Sequence, residues 1–146
     1  MKPILLGADH AGFPLKERIR RLLQRRGIRT IDLGAFSPDP VDYPDVAGAL
    51  ARRVARGRGT GILCCGSGVG MSIAANKVPG VRAVLAADAL TATFSRAHND
   101  ANVLCLGARL LPAARLPGIL RAWMGTAFEG GRHRRRVRKI SALERG

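Results

Sequence analysis

The segment Gly61-Ile62-Leu63-Cys64-Cys65 is apolar throughout and bounded by glycine on both sides. A strand that reads this way is buried on both faces, which happens in parallel sheets covered by helices rather than in half-solvated antiparallel ones. Glycines at 66, 68 and 70 then alternate with Ser67 and Val69, so the chain leaves the strand through a tight loop before a helix that opens at Met71. The rest of the chain has to be compatible with that strand, loop and helix.

It is. Short β-type runs alternate with longer amphipathic stretches, the pattern of βαβ units. Ile4 to Ala8 reads as the first strand, and Leu15, Ile19, Leu22 and Leu23 then fall at helical spacing until Gly27. Ile28 to Leu33 reads as a second strand, and Gly34 to Pro44, with three prolines, as an irregular loop. Val46, Leu50 and Val54 mark a helix to about Arg56. Strands over Val81–Ala86 and Asn102–Leu106 and helices over Leu90–Ala97, Pro112–Met124 and Gly130–Leu143 complete the chain. The expected architecture is α/β: one domain over residues 1–146, a doubly wound parallel sheet of five strands with helices on both faces and a basic C-terminal helix.

Composition narrows the classes of function. The opening apolar run is too short for a signal peptide, and no stretch approaches the about 20 apolar residues needed to span a bilayer, so a cytoplasmic location is expected. Three cysteines without C-x-x-C spacing indicate thiols, not a disulfide framework or a zinc site. The formal charge of +15 invites a nucleic-acid reading. Against it, the arginines spread from Arg18 to Arg145 without the interleaved aromatics of a stacking platform. Solvated helix faces and attraction for small anions account for the charge better, which leaves a nucleic-acid-binding module as the remote alternative.

In open parallel sheets ligands bind beyond the carboxyl ends of the strands. Asp9 and His10 follow the first strand, the glycine loop follows Cys65, and Arg109 follows the fifth strand. His98 and Asn99, at the end of the fourth helix, are expected at the same edge. The loop's free backbone can turn N–H groups toward a phosphate or a developing oxyanion. A dinucleotide fingerprint fails because position 71 is Met, although Asp88 stands at a tolerable distance for a ribose contact, and a P-loop is excluded because no Gly-Lys-Ser/Thr follows. A thiol near a helix N-terminus and cations can supply a thiolate at neutral pH, which makes Cys65 a candidate base. Cys64 points to the opposite face and Cys105 lies inside an apolar strand, so both read as packing residues. Arg132 and Arg136, four apart, share a helix face and could grip a phosphate, or could simply be solvated.

Five segments stand out together: Gly7-Ala8-Asp9-His10-Ala11-Gly12, Val41-Asp42-Tyr43-Pro44, Cys65-Gly66-Ser67-Gly68-Val69-Gly70 with Ser72 to Lys77, Arg96 to Asn102, and Glu129-Gly130-Gly131-Arg132-His133. They resemble the ribose-5-phosphate isomerase type B family, relatives of the galactose-6-phosphate isomerase subunits. The resemblance spans nearly the whole chain in order. It implies a Rossmann-like sheet, no metal or cofactor, and a homodimer or dimer of dimers with sites shared between subunits. It implies an aldose–ketose isomerase acting on ribose 5-phosphate and ribulose 5-phosphate, with a six-carbon substrate, allose or galactose 6-phosphate, as the alternative. In its terms Cys65 is the base, His98 opens the sugar ring, and Ser67 stands where a threonine is common. Asp9, His10, Tyr43, Gly66, Gly68, Val69, Gly70, Asn99 and Arg109 contact substrate, and Arg132 and Arg136 hold the phosphate.

Overall fold

The computed structural model describes residues 1–57 and 59–146. Five parallel strands, β1 (Ile4–Ala8), β2 (Thr30–Asp32), β3 (Gly61–Cys65), β4 (Ala83–Leu85) and β5 (Val103–Gly107), form one sheet in the order β2-β1-β3-β5-β4. The helices are α1 (Phe13–Arg25), α2 (Tyr43–Gly57), α3 (Val69–Ala75), α4 (Ala89–Asn99), α5 (Leu116–Gly125) and α6 (Arg132–Ala142). Among the described residues no helix is long and apolar enough to cross a membrane.

Alternation along the strands divides the core in two. Leu6, Ala8, Ile62, Cys64, Leu104 and Leu106 pack under α1 and α5, with Trp123 as the largest buried side chain there. Leu5, Leu63, Cys65, Val103 and Cys105 face the other way, against Leu50, Val54, Met71 and Ala75 of α2 and α3. Successive strands are added to opposite sides of β1, toward β2 and toward β3, so the crevice that such sheets use for ligands opens between β1 and β3.

Lys16 fixes the loop after β2. Its side chain is 1% exposed, and its ammonium donates to both carboxylate oxygens of Asp32, at 2.7 and 2.8 Å, and to the Ala35 carbonyl. The rings of Phe13 and Phe36 each lie 5.2 Å from the ammonium. A buried ammonium is tolerated only with such partners, and these tie α1 to the segment that leads into α2.

Two element boundaries differ from expectation. The third helix begins at Val69, not Met71, because Gly68 takes the left-handed conformation (φ 80°) and completes the turn one step earlier. The stretch from Pro112 begins as a 3-10 turn over Ala113–Arg115 and becomes α-helical at Leu116, next to Pro117.

Helix α4 is capped by Asp88, whose carboxylate accepts the Thr91 N–H at 2.7 Å. That bond holds the Asp88 carboxyl below the usual carboxylate range. A depressed folded value means that the stabilisation is complete above the unfolded value of 3.8 and disappears as pH falls through the folded one. Asp88→Ala is therefore expected to melt at a lower temperature than the parent at neutral pH. The two melting curves should converge in strong acid, a comparison that thermal denaturation makes directly.

Candidate active site

At the carboxyl end of β1 the chain turns against β3. Asp9 donates its N–H to the Cys64 carbonyl at 3.2 Å, and its side chain accepts the Gly12 N–H at 2.9 Å. A Cβ at Gly12 would lie 2.1 Å from the Cys64 carbonyl oxygen, so only glycine lets the two backbones meet. His10 accepts the Val41 N–H on Nδ1 at 3.2 Å, which leaves its ring proton on Nε2. Asp9, His10, Val41, Asp42 and Tyr43 line a concavity of about 460 Å³.

Tyr43 joins that concavity to the glycine loop. A Cβ at Gly70 would sit 2.6 to 2.8 Å from carbons of the Tyr43 ring, so the ring lies directly on the start of α3. Within the loop, Cys65 Sγ accepts the Gly68 N–H at 3.1 Å, and Ser67 Oγ accepts the Val69 N–H at 3.2 Å. Cys65 itself is 4% exposed, at the rim of the core and not on an open surface. The Arg109 N–H donates to the Gly66 carbonyl at 2.9 Å, and the guanidinium packs against Gly66. Asp9, His10, Tyr43, Cys65, Gly66, Ser67, Gly68, Val69, Gly70 and Arg109 thus belong to one edge of the sheet.

The three thiols differ. Burial pushes the Cys64 and Cys105 thiols far above the ordinary range, so both stay protonated. Cys64 faces the α1 side of the sheet, while Cys65 faces the α3 side and receives a loop amide.

His98 and Asn99 are not at this edge, contrary to the reading from sequence. Helix α4 starts beyond the carboxyl end of β4 and runs back to deliver the chain to the amino end of β5, so its last residues lie toward the opposite edge. Asn99 lines a groove beside β4 with Asn76, Lys77 and Ser95. His98 stacks between Phe94 and His133, with ring centroids 5.0 and 4.2 Å away. Glu129 places one carboxylate oxygen 3.8 Å from Nε2 of each histidine. Burial, reinforced by the neighbouring His98 and Arg132, holds His133 below the ordinary imidazole value, which keeps it neutral at neutral pH. Arg132 and Arg136 are exposed on the first turns of α6, close to this cluster.

The two groups therefore occupy different parts of one chain. Sequence reasoning did not assign roles to Phe94, Glu129 and His133. The Glu129–His133 spacing of four was visible, but the stack depends on α6 packing against α4, and no local pattern reports that.

The ribose/galactose isomerase family profile matches residues 4–140. The chain belongs to that family. Ribose-5-phosphate isomerase B of Escherichia coli is 48% identical over 145 residues, covering 99% of this chain and 97% of that protein. The solved structure of Clostridium thermocellum ribose-5-phosphate isomerase B superposes with a TM-score of 0.96 at 43% identity, covering 99% and 98% of the two chains. That of the Mycoplasma genitalium protein with bound ribulose-5-phosphate gives 0.92 at 40% identity, covering 98% and 96%. The five-stranded α/β fold expected from sequence is the fold of these family members.

Proposed function

We propose that this family member interconverts ribose 5-phosphate and ribulose 5-phosphate without a cofactor, in the cytoplasm, with Cys65 as the base. The observation that carries the assignment of the base is the Gly68 N–H donating to Sγ at the carboxyl end of β3. An ionised sulfur accepts such a bond more strongly than a neutral thiol. Of the three cysteines, it is the one whose sulfur accepts a loop amide rather than lying wholly within the core.

The reaction balances with one base. The thiolate removes the proton from C2 of the open-chain aldose, the C–H electron pair becomes the C1–C2 double bond, and negative charge collects on O1. The O2 proton passes to O1, the carbonyl re-forms at C2, and the thiol returns its proton to C1. The N–H groups of Ser67 and Gly70, with the Ser67 hydroxyl, supply donors for the intermediate oxyanion. His98 protonates the ring oxygen to open the cyclic sugar, and Arg132 and Arg136 hold the phosphate. The surplus of 15 positive charges attracts the dianionic substrate.

Cys65 and His98 lie toward different edges of one chain, so the reading requires a second copy. The surface supports that. Val69, Ile73, Leu85, Leu90 and Phe94 are exposed apolar side chains around the free edge of β4. Leu85 adjoins Gly68, next to the Cys65 loop, and Phe94 adjoins His98. A two-fold interface pairs unlike ends of one patch, so the Phe94 end of one protomer meets the Val69 end of its partner. That arrangement carries His98 and α6 to the partner's Cys65.

Kinetics on ribose 5-phosphate and, separately, on allose and galactose 6-phosphates test the substrate. A kcat/KM at least about tenfold higher for the five-carbon sugar, or about 1.4 kcal/mol of transition-state discrimination, is the expected result. A preference for a six-carbon sugar would move the chain to the other branch of its family.

A further inference from the structure

His98, Glu129 and His133 each offer one donor atom, and these three atoms all lie within 4.8 Å of one another. The imidazole planes are 10° apart, and both Nε2 atoms face the same carboxylate, one oxygen each, at 3.8 Å. That separation is too long for a hydrogen bond, so the three groups converge without satisfying each other. A tetrahedral ion with bonds of about 2.0 to 2.2 Å to nitrogen and oxygen holds its ligands about 3.3 to 3.6 Å apart. An ion lies in the plane of each imidazole that binds it, so the His98 ring has to turn out of its stack on His133 to take one. Glu129 and His98 are partly exposed, with side chains 56% and 34% accessible, and are the members that move, while His133 at 9% is the fixed one.

We infer that His98, Glu129 and His133 form a site for a divalent transition-metal ion of the zinc or copper class, and that its occupancy switches the isomerase off. Two imidazoles and a carboxylate are the donor set that borderline ions favour, and three protein ligands leave a coordination position for water. Two cations nearby, Arg132 and Arg136 on α6, oppose the ion and lower its affinity. The inhibitory half rests on the reading above: the metal occupies the Nε2 lone pair of His98, so that nitrogen can no longer pass a proton to the sugar ring.

The test is a titration of the full-length protein with Co²⁺, followed by visible absorption, alongside equilibrium dialysis with Zn²⁺. One ion per chain is expected, with the bands of a four-coordinate site and no thiolate-to-metal charge transfer. Glu129→Gln and His133→Asn should each weaken binding by at least about tenfold, the scale set even by losing a group that merely supports a ligand. Cys65→Ser should bind as the parent does. Failure of the parent protein to retain the ion overturns the site, and so does binding that survives both substitutions or vanishes with Cys65→Ser. In the parent, turnover should fall with occupancy and return on adding EDTA. Binding that is lost in both variants but leaves parental turnover intact keeps the site, and overturns both the inhibition and the ring-opening role of His98.

Discussion

Cys65→Ala is expected to fold as the parent does and to lose turnover by about a hundred- to ten-thousandfold, the range a positioned general base contributes. The substitution removes one heavy atom from the rim of the α3-side core, where Met71 and Ala75 are fully buried. A loss of that size costs about 1 kcal/mol, a tolerable fraction of a domain's stability. Cys65→Ser should be almost as slow, because a hydroxyl fills the space but is a far weaker base at neutral pH. Cys64→Ala and Cys105→Ala are the controls. Their thiols are held protonated by burial, and both should keep kcat near that of the parent. Since proton transfer belongs to the transition state, kcat and kcat/KM should fall together in the Cys65 variants. A Cys65→Ala protein that turns over at the parental rate would remove the sulfur from the mechanism.

What the sequence reveals of this fold follows how each element is buried. Strands β1 and β3 stand where the apolar runs put them, and β5 within a residue, because they pair on both sides and are buried on both faces. The sequence reads β2 and β4 as longer, over Ile28–Leu33 and Val81–Ala86, yet each pairs over only three residues. Both are edge strands with a ladder on one side only, and an apolar residue next to an edge need not join it. The placement of β5 between β3 and β4 depends on long-range packing that no local pattern encodes. In the candidate site, Cys65 was legible because it closes a strand, and Asp9, His10 and Arg109 because each follows a strand's carboxyl end. His98 was not, for a reason open to prior argument: a helix that leaves the carboxyl end of one strand must end near the amino end of the next. Its partners Glu129 and His133 come from a distant stretch of the chain, and only the packing of α6 on α4 brings them to it.

Mixing inactive chains gives the second large effect. Cys65→Ala and His98→Asn are each expected to be nearly inactive alone, yet chains of the two kinds exchanged into common dimers should recover about one quarter of parental activity. The fraction follows from symmetry: random exchange makes about half of the dimers mixed, and each mixed dimer has one intact site and one doubly damaged site. The intact site combines the sulfur of the His98→Asn chain with the imidazole of the Cys65→Ala chain. Were both groups drawn from a single chain, every site in every mixed dimer would lack one of them, and exchange would recover nothing. The recovered fraction therefore measures whether α4 of one protomer reaches the glycine loop of its partner. Replacing Phe94 with Asp puts a charge on the apolar patch next to His98, and should abolish both recovery and dimerisation. Recovery that persists in a protein shown by sedimentation to be monomeric would contradict the shared site, because a lone chain holds its sulfur and its imidazole at different edges of the sheet.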